Sequence, residues 1–388
     1  MQQLYGERLS FWEKSRRSMV VKKAYDCYIE DQKGNKFIDT SMGSGAQIIG
    51  HNNPLIRKVG KQIKNGTIYT VPNAHTESVN FYLKKYINPE LHDEYIFCNS
   101  GTEANMRAVR LARAYTGKNK IARFHGGWHG GIDGFIESKG VPGTTNELIQ
   151  VLPYNDRSCF DKISTDLAAV IIEPVQGSNP RSDIKSFLKK LREECSKKNV
   201  LLIFDEVMTG FRLSLRGGAG LFNIKPDLIT YGKVLVGGFP IGALGGAEDI
   251  IKTSGVFYGG TFSANPLTMF AAKQILQTAV DEKLIRYNKL RLFGELLRGQ
   301  LNDWFAGHNL DMHIIGCGPI NRIIFTDKFI KNRKERDKFE SRNQNEFYKK
   351  LKESGVFVNT NGLFHFSMSH ETSVVNNIIN KIIGVCNE

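Results

Sequence analysis

Lys233 is the residue whose position in the sequence most directly suggests chemistry. It follows the apolar, strand-like run DLITYG at residues 227–232 and precedes a glycine-rich run that extends to Gly246. A lysine in dry surroundings has a lowered pKa, and its uncharged amine is a nucleophile. The glycines would let the backbone lie close to a flat ligand beside that amine. This stretch therefore predicts a reactive lysine at the end of a strand.

Asp205 is a second candidate, because it follows four apolar residues, LLIF at 201–204. A carboxylate in such surroundings is poorly solvated and needs a cationic or hydrogen-bonding partner. One explanation is structural: Asp205 caps a helix or forms a salt bridge with Arg212. The other is functional: Asp205 binds the protonated ring nitrogen of a cofactor. The residues alone leave both explanations open.

Ser100, Gly101 and Thr102 lie between a strand-like run and the start of a helical pattern. Free backbone N–H groups at a helix start, together with two hydroxyl groups, are suited to binding a phosphate. Ordinary helix capping by Ser or Thr explains the same residues. The sequence has no G-x-x-x-x-G-K-[ST] motif, which removes the main support for an ATPase.

The segment HGGWHGG at 125–131 contains two histidines, His125 and His129, four residues apart. Glycine disfavours the helix on which this spacing would form a zinc site, and no third ligand is evident, so no metal is predicted. Trp128 would either pack in the core or lie over a flat aromatic ligand. A phosphate site, a cover for a ring, an acid for a ring nitrogen and a reactive lysine together predict pyridoxal phosphate (PLP) as the cofactor.

Alternating strand and helix patterns position these residues between about 94 and 265. The runs EYIFC, KIARF, LAAVIIE, VLLIFDEV and DLITYG are strand-like, and TEANMRAVRLARAYTG is helical. Such alternation predicts an α/β fold in which helices cover a mostly parallel sheet. The carboxyl ends of the strands would bring Ser100, Trp128, Asp205 and Lys233 to one edge, which is where open sheets bind ligands.

The two ends of the chain have a different pattern. Residues 20–40 predict a hairpin of exposed strands with its turn around Gly34. Residues 267–388 begin with a long helical pattern and end with short strands and a last helix. We therefore predict a smaller α+β domain formed by residues 1–45 and 267–388, and a large cofactor-binding domain formed by residues 46–266.

The motifs resemble those of the class III, fold-type I PLP-dependent enzymes, in particular glutamate-1-semialdehyde 2,1-aminomutase and its relatives. The resemblance extends from about Ala24 to the C-terminus. The segments that carry it, in the same order, are NSGTEANMRAVRLARAYTG, HGGWHG, IIEPVQGS, LLIFDEVMTGFR, PDLITYGKVLVGGFPIGALGG and GGTFSANPL. It implies a seven-stranded, mostly parallel sheet and a homodimer with the active site at the subunit interface.

The resemblance also implies roles for individual residues. Lys233 corresponds to the lysine that is bonded covalently to the cofactor, and Asp205 to the acid that binds the pyridine N–H. A protonated ring withdraws electrons from the α-carbon of the substrate. The other implied ring and phosphate contacts are Val207, Trp128, Ser100, Gly101, Thr102 and, from the neighbouring subunit, Thr261.

Two departures from the aminomutase pattern affect the predicted reaction. An F-E-A-G-F run is replaced by a segment with Asn361 and Gly362, and an N-terminal S-P-V-R segment is absent. The triplet WHG and the loop SMGSGAQIIGH are instead similar to the dialkylglycine decarboxylase branch of the class. In that branch the residue aligned with Ser44 helps to position the departing carboxylate, although it is not a serine.

We therefore expect a PLP-dependent decarboxylase that acts on a small anionic α-amino acid. A resemblance to the L-serine phosphate decarboxylases of this class implies that substrate, with ethanolamine phosphate as the product. The alternative is amino-group transfer by a class III aminotransferase or an aminomutase. A PLP-fold protein that acts only as a binding module is disfavoured, because Lys233 and Asp205 are both present. Candidate residues for holding the substrate anion are Ser44, His129, Arg16, Arg17, Arg212 and Arg216.

Composition limits the other classes of function. The net charge of +14 would attract anionic partners, but no nucleic-acid recognition motif accompanies it, so no nucleic-acid binding is predicted. No apolar run is long enough to span a bilayer, and the N-terminal segment lacks the apolar core of a signal peptide. The six scattered cysteines form no C-x-x-C pair, which is typical of reduced thiols. These features predict a cytoplasmic enzyme without a membrane partner.

Overall fold

The structure is a computed structural model that describes residues 19–69, 71–90, 95–136, 138–281, 283, 285–339, 342–359 and 362–388. The strands described are β1 (Val21–Tyr25), β2 (Tyr28–Asp31), β3 (Lys36–Asp39), β4 (Ile96–Cys98), β5 (Lys120–Phe124), β6 (Ile149–Leu152), β7 (Leu167–Ile172), β8 (Leu201–Asp205), β9 (Leu228–Tyr231), β10 (Gly242–Gly246), β11 (His313–Cys317), β12 (Ile320–Ile324), β13 (Val356–Phe357) and β14 (Leu363–His365).

Helices connect and cover these strands. Those of nine or more residues are Ala74–Tyr82, Gly101–Thr116, Lys185–Lys197, Pro266–Val280, Tyr287–Gly307, Arg342–Glu353 and Thr372–Cys386. The shorter helical segments are Met42–Gly45, Pro54–Arg57, Val59–Ile63, Leu83–Ile87, Gly143–Glu147, Arg157–Lys162, Gly217–Phe222, Lys233–Val236, Glu248–Ile251 and Arg333–Arg336. Among the described residues, no helix combines the length and the apolar character needed to cross a membrane.

The largest sheet has seven strands in the order β4-β10-β9-β8-β7-β5-β6. The pairs β9-β8, β8-β7, β7-β5 and β5-β6 are parallel, and β10 is antiparallel to both of its neighbours. This arrangement confirms the predicted α/β fold with a mostly parallel, seven-stranded sheet. The carboxyl ends of the parallel strands therefore meet at one edge, as the sequence predicted.

Helices on both faces explain why the central strands are apolar throughout. All six residues of β7 are buried. Val170 and Ile172 pack in the cluster that includes Leu188 of one helix, whereas Ile171 packs in the cluster that includes Leu111 of another. A strand covered on both faces has no solvent-facing side, so its sequence loses the alternation of polar and apolar residues.

The helix Gly101–Thr116 follows the sequence prediction closely. Ser100 caps its start, since Ser100 Oγ accepts a hydrogen bond from the backbone N–H of Glu103 at 3.1 Å. Gly117 ends it with a φ of 68°, the left-handed conformation that glycine adopts at low cost. The first turn of this helix therefore follows β4 after only two residues, Asn99 and Ser100.

The two ends of the chain pack together beside the large sheet. The sheet β1-β2-β3-β13 joins them, because β13 pairs in parallel with β3. The predicted hairpin is present: β2 and β3 are antiparallel, and Gly34 in their turn has a φ of 88°. The sheet β11-β12-β14 and the helices Tyr287–Gly307 and Thr372–Cys386 share a separate hydrophobic cluster. The domain bounds at 45/46 and 266/267 stay a prediction.

Gly242→Ala tests the close contact between β10 and the turn after β4. A Cβ at Gly242 would overlap the carbonyl oxygen of Ser100 and lie 2.6 Å from the Cys98 Sγ. Because backbone cannot move away cheaply, we expect the free energy of unfolding to fall by about 1–3 kcal/mol. Urea denaturation followed by circular dichroism measures this change.

Gly299→Ala is the matched control. Gly299 is exposed in a helix, and a Cβ there would meet nothing within 4 Å. Its replacement should stabilise the helix by about 0.5–1 kcal/mol, because alanine has less backbone freedom to lose on folding. Equal stabilities of the two variants would contradict the close contact at Gly242.

Candidate active site

Lys233 lies at the carboxyl edge of the large sheet, two residues after β9 ends at Tyr231. Its φ of 42° is in the left-handed region, which is unfavourable for a residue with a side chain and is a form of strain that clusters at active sites. Its Nζ lies 4.0 Å from the Met208 Sδ. No stronger hydrogen bond to the described residues holds the amine.

The surroundings of Lys233 favour the uncharged amine. Burial lowers the pKa of Lys233, the carboxylates of Glu173 and Asp205 oppose this effect, and Arg212 adds to it. The net direction is downward, so a larger fraction of the amine is unprotonated near neutral pH than for an ordinary lysine. An uncharged amine can attack an aldehyde carbon, which is the chemistry predicted for this residue.

Asp205 is the last residue of β8 and is only 2% exposed. Its Oδ2 accepts hydrogen bonds from Asn105 Nδ2 at 2.7 Å and from His129 Nδ1 at 2.8 Å. Its Oδ1 accepts from the backbone N–H of Val207 at 3.0 Å. These bonds fix the plane of the carboxylate, and the described contacts include no ion pair between Asp205 and Arg212.

Asn105 connects Asp205 to the strand that carries Lys233. Thr230 of β9 donates its hydroxyl to Asn105 Oδ1 at 2.6 Å, which leaves the amide nitrogen to donate to Asp205. The same nitrogen also donates to the backbone carbonyl of His129 at 3.2 Å. The sequence analysis missed Asn105, although its position one turn into the helix after Ser100 is a signal for a residue facing the strand ends.

The turn at Ser100, Gly101 and Thr102 packs tightly against two other segments. A Cβ at Gly101 would lie 2.7 Å from a Val207 methyl carbon. A Cβ at Gly130 would overlap the Thr102 side chain. Glycine is therefore required at both positions for the helix start to approach the strand edge. The Ser100 hydroxyl caps the helix, so the capping explanation of this residue holds.

Trp128 lies in the loop after β5, and its side chain is not part of the core. It is 48% exposed, and its backbone N–H donates to Glu173 Oε1 at 2.6 Å.

Glu173 follows β7, is 5% exposed, and also accepts from the backbone N–H of Gly177 at 2.6 Å. Burial raises the pKa of Glu173; the nearby His129 opposes this and the Asp205 carboxylate adds to it. The sequence analysis did not select Glu173.

Arg212 is fully buried and contacts backbone rather than a carboxylate. Its Nε donates to the Met208 carbonyl at 3.3 Å, and its Nη2 donates to the Gly45 carbonyl. Its Nη1 is buried and has no hydrogen-bond partner among the described residues. Burial lowers the pKa of Arg212 to about 10, which leaves it charged at neutral pH.

The loop that contains Ser44 has an unusual backbone. Four successive residues, 42–45, have positive φ values between 46° and 82°, and two of them are not glycine. Ser44 is exposed, and its backbone N–H donates to Ser41 Oγ at 3.3 Å. The loop conformation brings Gly45, rather than Ser44, into contact with Arg212.

The remaining candidate anion-binding residues lie in different places. Arg216 forms a salt bridge with Glu90 and donates to the Ile87 carbonyl at 2.8 Å. His129 is 2% exposed and its Nδ1 is bonded to Asp205. No group of three or more His, Cys, Asp or Glu side chains among the described residues is arranged to hold a metal ion. Arg16 and Arg17 lie outside the described residues.

Thr261 lies on an exposed loop that is bound to the helix Gly101–Thr116. Arg107 of that helix donates to the Gly259 carbonyl at 3.1 Å and to Ser263 Oγ at 3.3 Å. No described contact connects Thr261 to Lys233 or Asp205 within this chain.

Comparison with known protein families identifies the family to which this chain belongs. Residues 11–383 match the model of the family "Aminotransferase class-III". The chain belongs to the class-III aminotransferase family. Membership confirms the predicted fold-type I architecture and PLP as the cofactor.

The relatives of this chain include proteins named as aminomutases and transaminases. Glutamate-1-semialdehyde 2,1-aminomutase of Methanothrix thermoacetophila is 34% identical over 360 residues, 87% of this chain and 82% of that protein. The same enzyme of Clostridium kluyveri is 36% identical over 371 residues, 87% and 85% of the two chains. An omega-transaminase from Sphaerobacter thermophilus has a TM-score of 0.87 at 26% identity and covers 95% of this chain and 91% of its own.

The predicted decarboxylation is wrong. The similar proteins are named aminomutases and transaminases, and this similarity extends over most of the chain. The prediction relied on two departures from the aminomutase pattern and on two short segments, WHG and the loop around Ser44. Ser44, which was expected to position a departing carboxylate, is exposed in the described chain. The resemblance to L-serine phosphate decarboxylases is not confirmed.

The residues of this chain fit PLP. The cofactor needs an acid for its ring nitrogen, an amine for its aldehyde and an anion site for its phosphate. One sheet edge supplies the buried Asp205 carboxylate, the weakly held Lys233 amine and the start of the helix Gly101–Thr116. The close approach of Gly101 to Val207 joins two of these elements without a side chain between them.

Glu206 is a further buried acid beside this edge, and the sequence analysis did not select it. It accepts hydrogen bonds from the Thr209 hydroxyl and from the backbone N–H groups of Gly218 at 2.8 Å and Ala219 at 2.6 Å. Burial raises its pKa from 4.5 to about 7. Through its hydrogen bonds to Gly218 and Ala219, Glu206 holds the segment after Arg216 against the end of β8.

Glu206→Gln tests this raised pKa through protein stability. The folded-state pKa of Glu206 lies above its value of 4.5 in an unfolded chain, so its contribution is favourable below pH 4.5 and is lost as the pH rises to about 7. The shift corresponds to roughly 3 kcal/mol. We expect the unfolding free energy of the wild type to fall more than that of the variant between pH 5 and about pH 7.5. Urea denaturation at several pH values measures both slopes, and parallel slopes would contradict the prediction.

Proposed function

We propose that this protein catalyses PLP-dependent transfer of an amino group. The transfer takes place between two molecules, as in an aminotransferase, or between two carbons of one molecule, as in an aminomutase. Relatives of both kinds support the proposal. The observation that carries it is the Lys233 amine, which has a lowered pKa and lies near the carboxylates of Glu173 and Asp205.

We assign the ring contacts to residues that meet at the strand ends. Asp205 would bind the pyridine N–H, and the hydrogen bonds from His129 and Asn105 keep its carboxylate in a fixed orientation. Val207 and the exposed Trp128 side chain would pack against the ring. We assign His129 a role that acts through Asp205, to which its Nδ1 is bonded.

We assign the phosphate to the first turn of the helix Gly101–Thr116. A helix start presents backbone N–H groups without intrahelical partners, together with the positive end of the helix dipole. Ser100 and Thr102 add hydroxyl groups beside them. Thr261 of a second subunit completes the site in this proposal.

Lys233 has two tasks in amino transfer. When bound, PLP would supply an aldehyde that condenses with amino groups and a protonated ring that accepts electrons. The Lys233 Nζ would hold the cofactor covalently. It would also accept or donate a proton at the reacting carbon of the substrate, and its lowered pKa suits it to both directions near neutral pH.

The substrate in this proposal is a small amino-acid type of molecule. Arg212 is the cation of this cluster that has an unused donor, Nη1, among the described residues. Arg216 is occupied by Glu90 and is less suited to the same task. A phosphorylated substrate and a cytoplasmic location stay predictions.

We further propose a homodimer with a shared site. The loop that carries Thr261 exposes two large apolar side chains, Phe257 at 73% and Phe262 at 62%. A neighbouring segment exposes Val71 at 68%. Asn73 Nδ2 donates to the Ala264 carbonyl at 3.0 Å, so the two segments adjoin. Apolar side chains exposed together are typical of a protein interface.

Lys233→Ala tests the proposed reaction. We expect amino transfer to fall by at least about a hundredfold, because both covalent attachment and proton transfer depend on Nζ. Incubating the PLP-bound enzyme with a panel of amino acids and oxo acids, and measuring aminated products by chromatography, gives the rate. Wild-type protein should also convert the cofactor between its aldehyde and amine forms, which differ in visible absorbance.

Lys225→Ala is the control, because Lys225 is an exposed lysine close in sequence. Its rate should equal the wild-type rate, and circular dichroism should show that both variants fold. Release of CO2 without any aminated product, or full activity of Lys233→Ala, would contradict the proposal.

Phe257→Asp tests the proposed homodimer. A charge in a buried apolar contact is unfavourable, so the variant should dissociate at concentrations at which the wild type is dimeric. Sedimentation velocity measures the two species. Phe329→Asp, which changes a side chain that is 70% exposed on a different loop, should remain dimeric. A monomeric wild type, or a dimeric Phe257→Asp, would contradict the prediction.

A further inference from the structure

Three side chains that the proposed cofactor contacts do not use converge on Gly45. A Cβ at this glycine would lie 3.0 Å from Met208 Sδ, 3.3 Å from His365 Cδ2 and 3.4 Å from Arg212 Nη2. Met208 Sδ is in turn 4.0 Å from the Lys233 Nζ. The end of β14, the turn after β8 and the loop 42–45 therefore meet beside the reactive amine.

His365 is the unexplained member of this group. It is the last residue of β14 and is 1% exposed. Neither of its ring nitrogens has a hydrogen-bond partner in the described part of the chain, although its backbone N–H donates to the Thr40 carbonyl at 2.7 Å. Burial and the cations Arg212 and Lys233 lower its pKa well below the usual value, and the Ser41 backbone weakly opposes them. The ring is therefore neutral at pH 7 and has an N–H to donate.

Arg212, like His365, has a buried polar atom without a hydrogen-bond partner among the described residues. Its Nη1 is buried and unpartnered among the described residues, whereas its Nε and Nη2 bond to backbone carbonyls. A buried donor without a partner costs about 1–3 kcal/mol, and more when it is charged. Two such donors on neighbouring side chains beside the reactive amine need an acceptor, which a bound ligand can supply.

We propose that His365 and Nη1 of Arg212 form a subsite for a carboxylate group of the substrate, and that His365 determines specificity for substrates with that group. The inference rests on the proposed amino transfer at Lys233. One guanidinium N–H and one ring N–H offer two donors, which match the two oxygens of a carboxylate. The positive charge of Arg212 would offset the charge of the anion at this buried position.

The test measures binding of glutarate, a dicarboxylate without an amino group, to the full-length PLP-bound protein by calorimetry. We expect His365→Phe to weaken glutarate binding by about tenfold or more, because the ring N–H is lost while a planar ring remains. His365→Gln should recover part of the affinity through its amide N–H. His308→Phe changes an exposed histidine and should leave affinity unchanged.

We expect the His365→Phe variant to fold, so that its glutarate binding can be measured. His365→Phe removes buried polar atoms that have no partner, so thermal unfolding of this variant should occur at or above the wild-type temperature. If it does not fold, His365→Gln alone decides: unchanged glutarate affinity overturns the subsite. Failure of the wild type to bind glutarate, or equal binding by wild type and His365→Phe, also overturns it.

Amino-transfer assays separate this inference from the proposed function. For carboxylate-bearing amino donors the KM of His365→Phe should rise, with a smaller change in kcat. If no variant or wild-type protein transfers amino groups, but His365→Phe weakens glutarate binding, the subsite stands and the proposed reaction fails. If amino transfer proceeds and neither KM nor glutarate affinity depends on His365, the subsite fails and the reaction stands.

Discussion

The buried carboxylate of Asp205 is the constraint on which the site depends. An isolated carboxylate at 2% exposure would be strongly destabilising, so it must be matched by donors. His129, Asn105 and the Val207 backbone provide them from a loop, a helix and a turn. Thr230 orients Asn105, and the strand that carries Thr230 leads directly to Lys233. Satisfying one charge thus aligns four segments and fixes where the amine lies.

Close backbone contacts are the second requirement of this site. Gly101 lies against Val207, Gly130 lies against Thr102, and Gly45 lies against His365 and Arg212. At Gly101 and Gly130 a methyl group would push apart two segments that carry functional side chains, and at Gly45 it would crowd the neighbouring side chains. These glycines are therefore part of the site, although they contribute no chemical group. Their roles differ from that of Gly117, which serves the left-handed end of a helix.

The reaction of a PLP-dependent enzyme depends on how the protein orients the substrate against the cofactor. Two departures from the aminomutase pattern and two short similar segments led to the expectation of decarboxylation, whereas the similarity to aminomutases and transaminases extends over most of the chain. In the folded chain the loop around Ser44 contributes the Gly45 carbonyl to Arg212. That contact lies next to the amine, and the sequence of the loop alone does not predict it.

The sequence by itself determined the central sheet, the helix Gly101–Thr116 and the positions of Lys233 and Asp205 at strand ends. It could do so because apolar runs, helix caps and glycine breaks act over a few residues. Only the tertiary structure decided the partners: His129 meets Asp205 across 76 residues, and Gly45 meets Arg212 across 167. It also revealed Glu173, Glu206 and His365 as buried polar groups. Local spacing carries no record of which distant segments pack together, so burial and hydrogen bonding become visible only when the chain is folded.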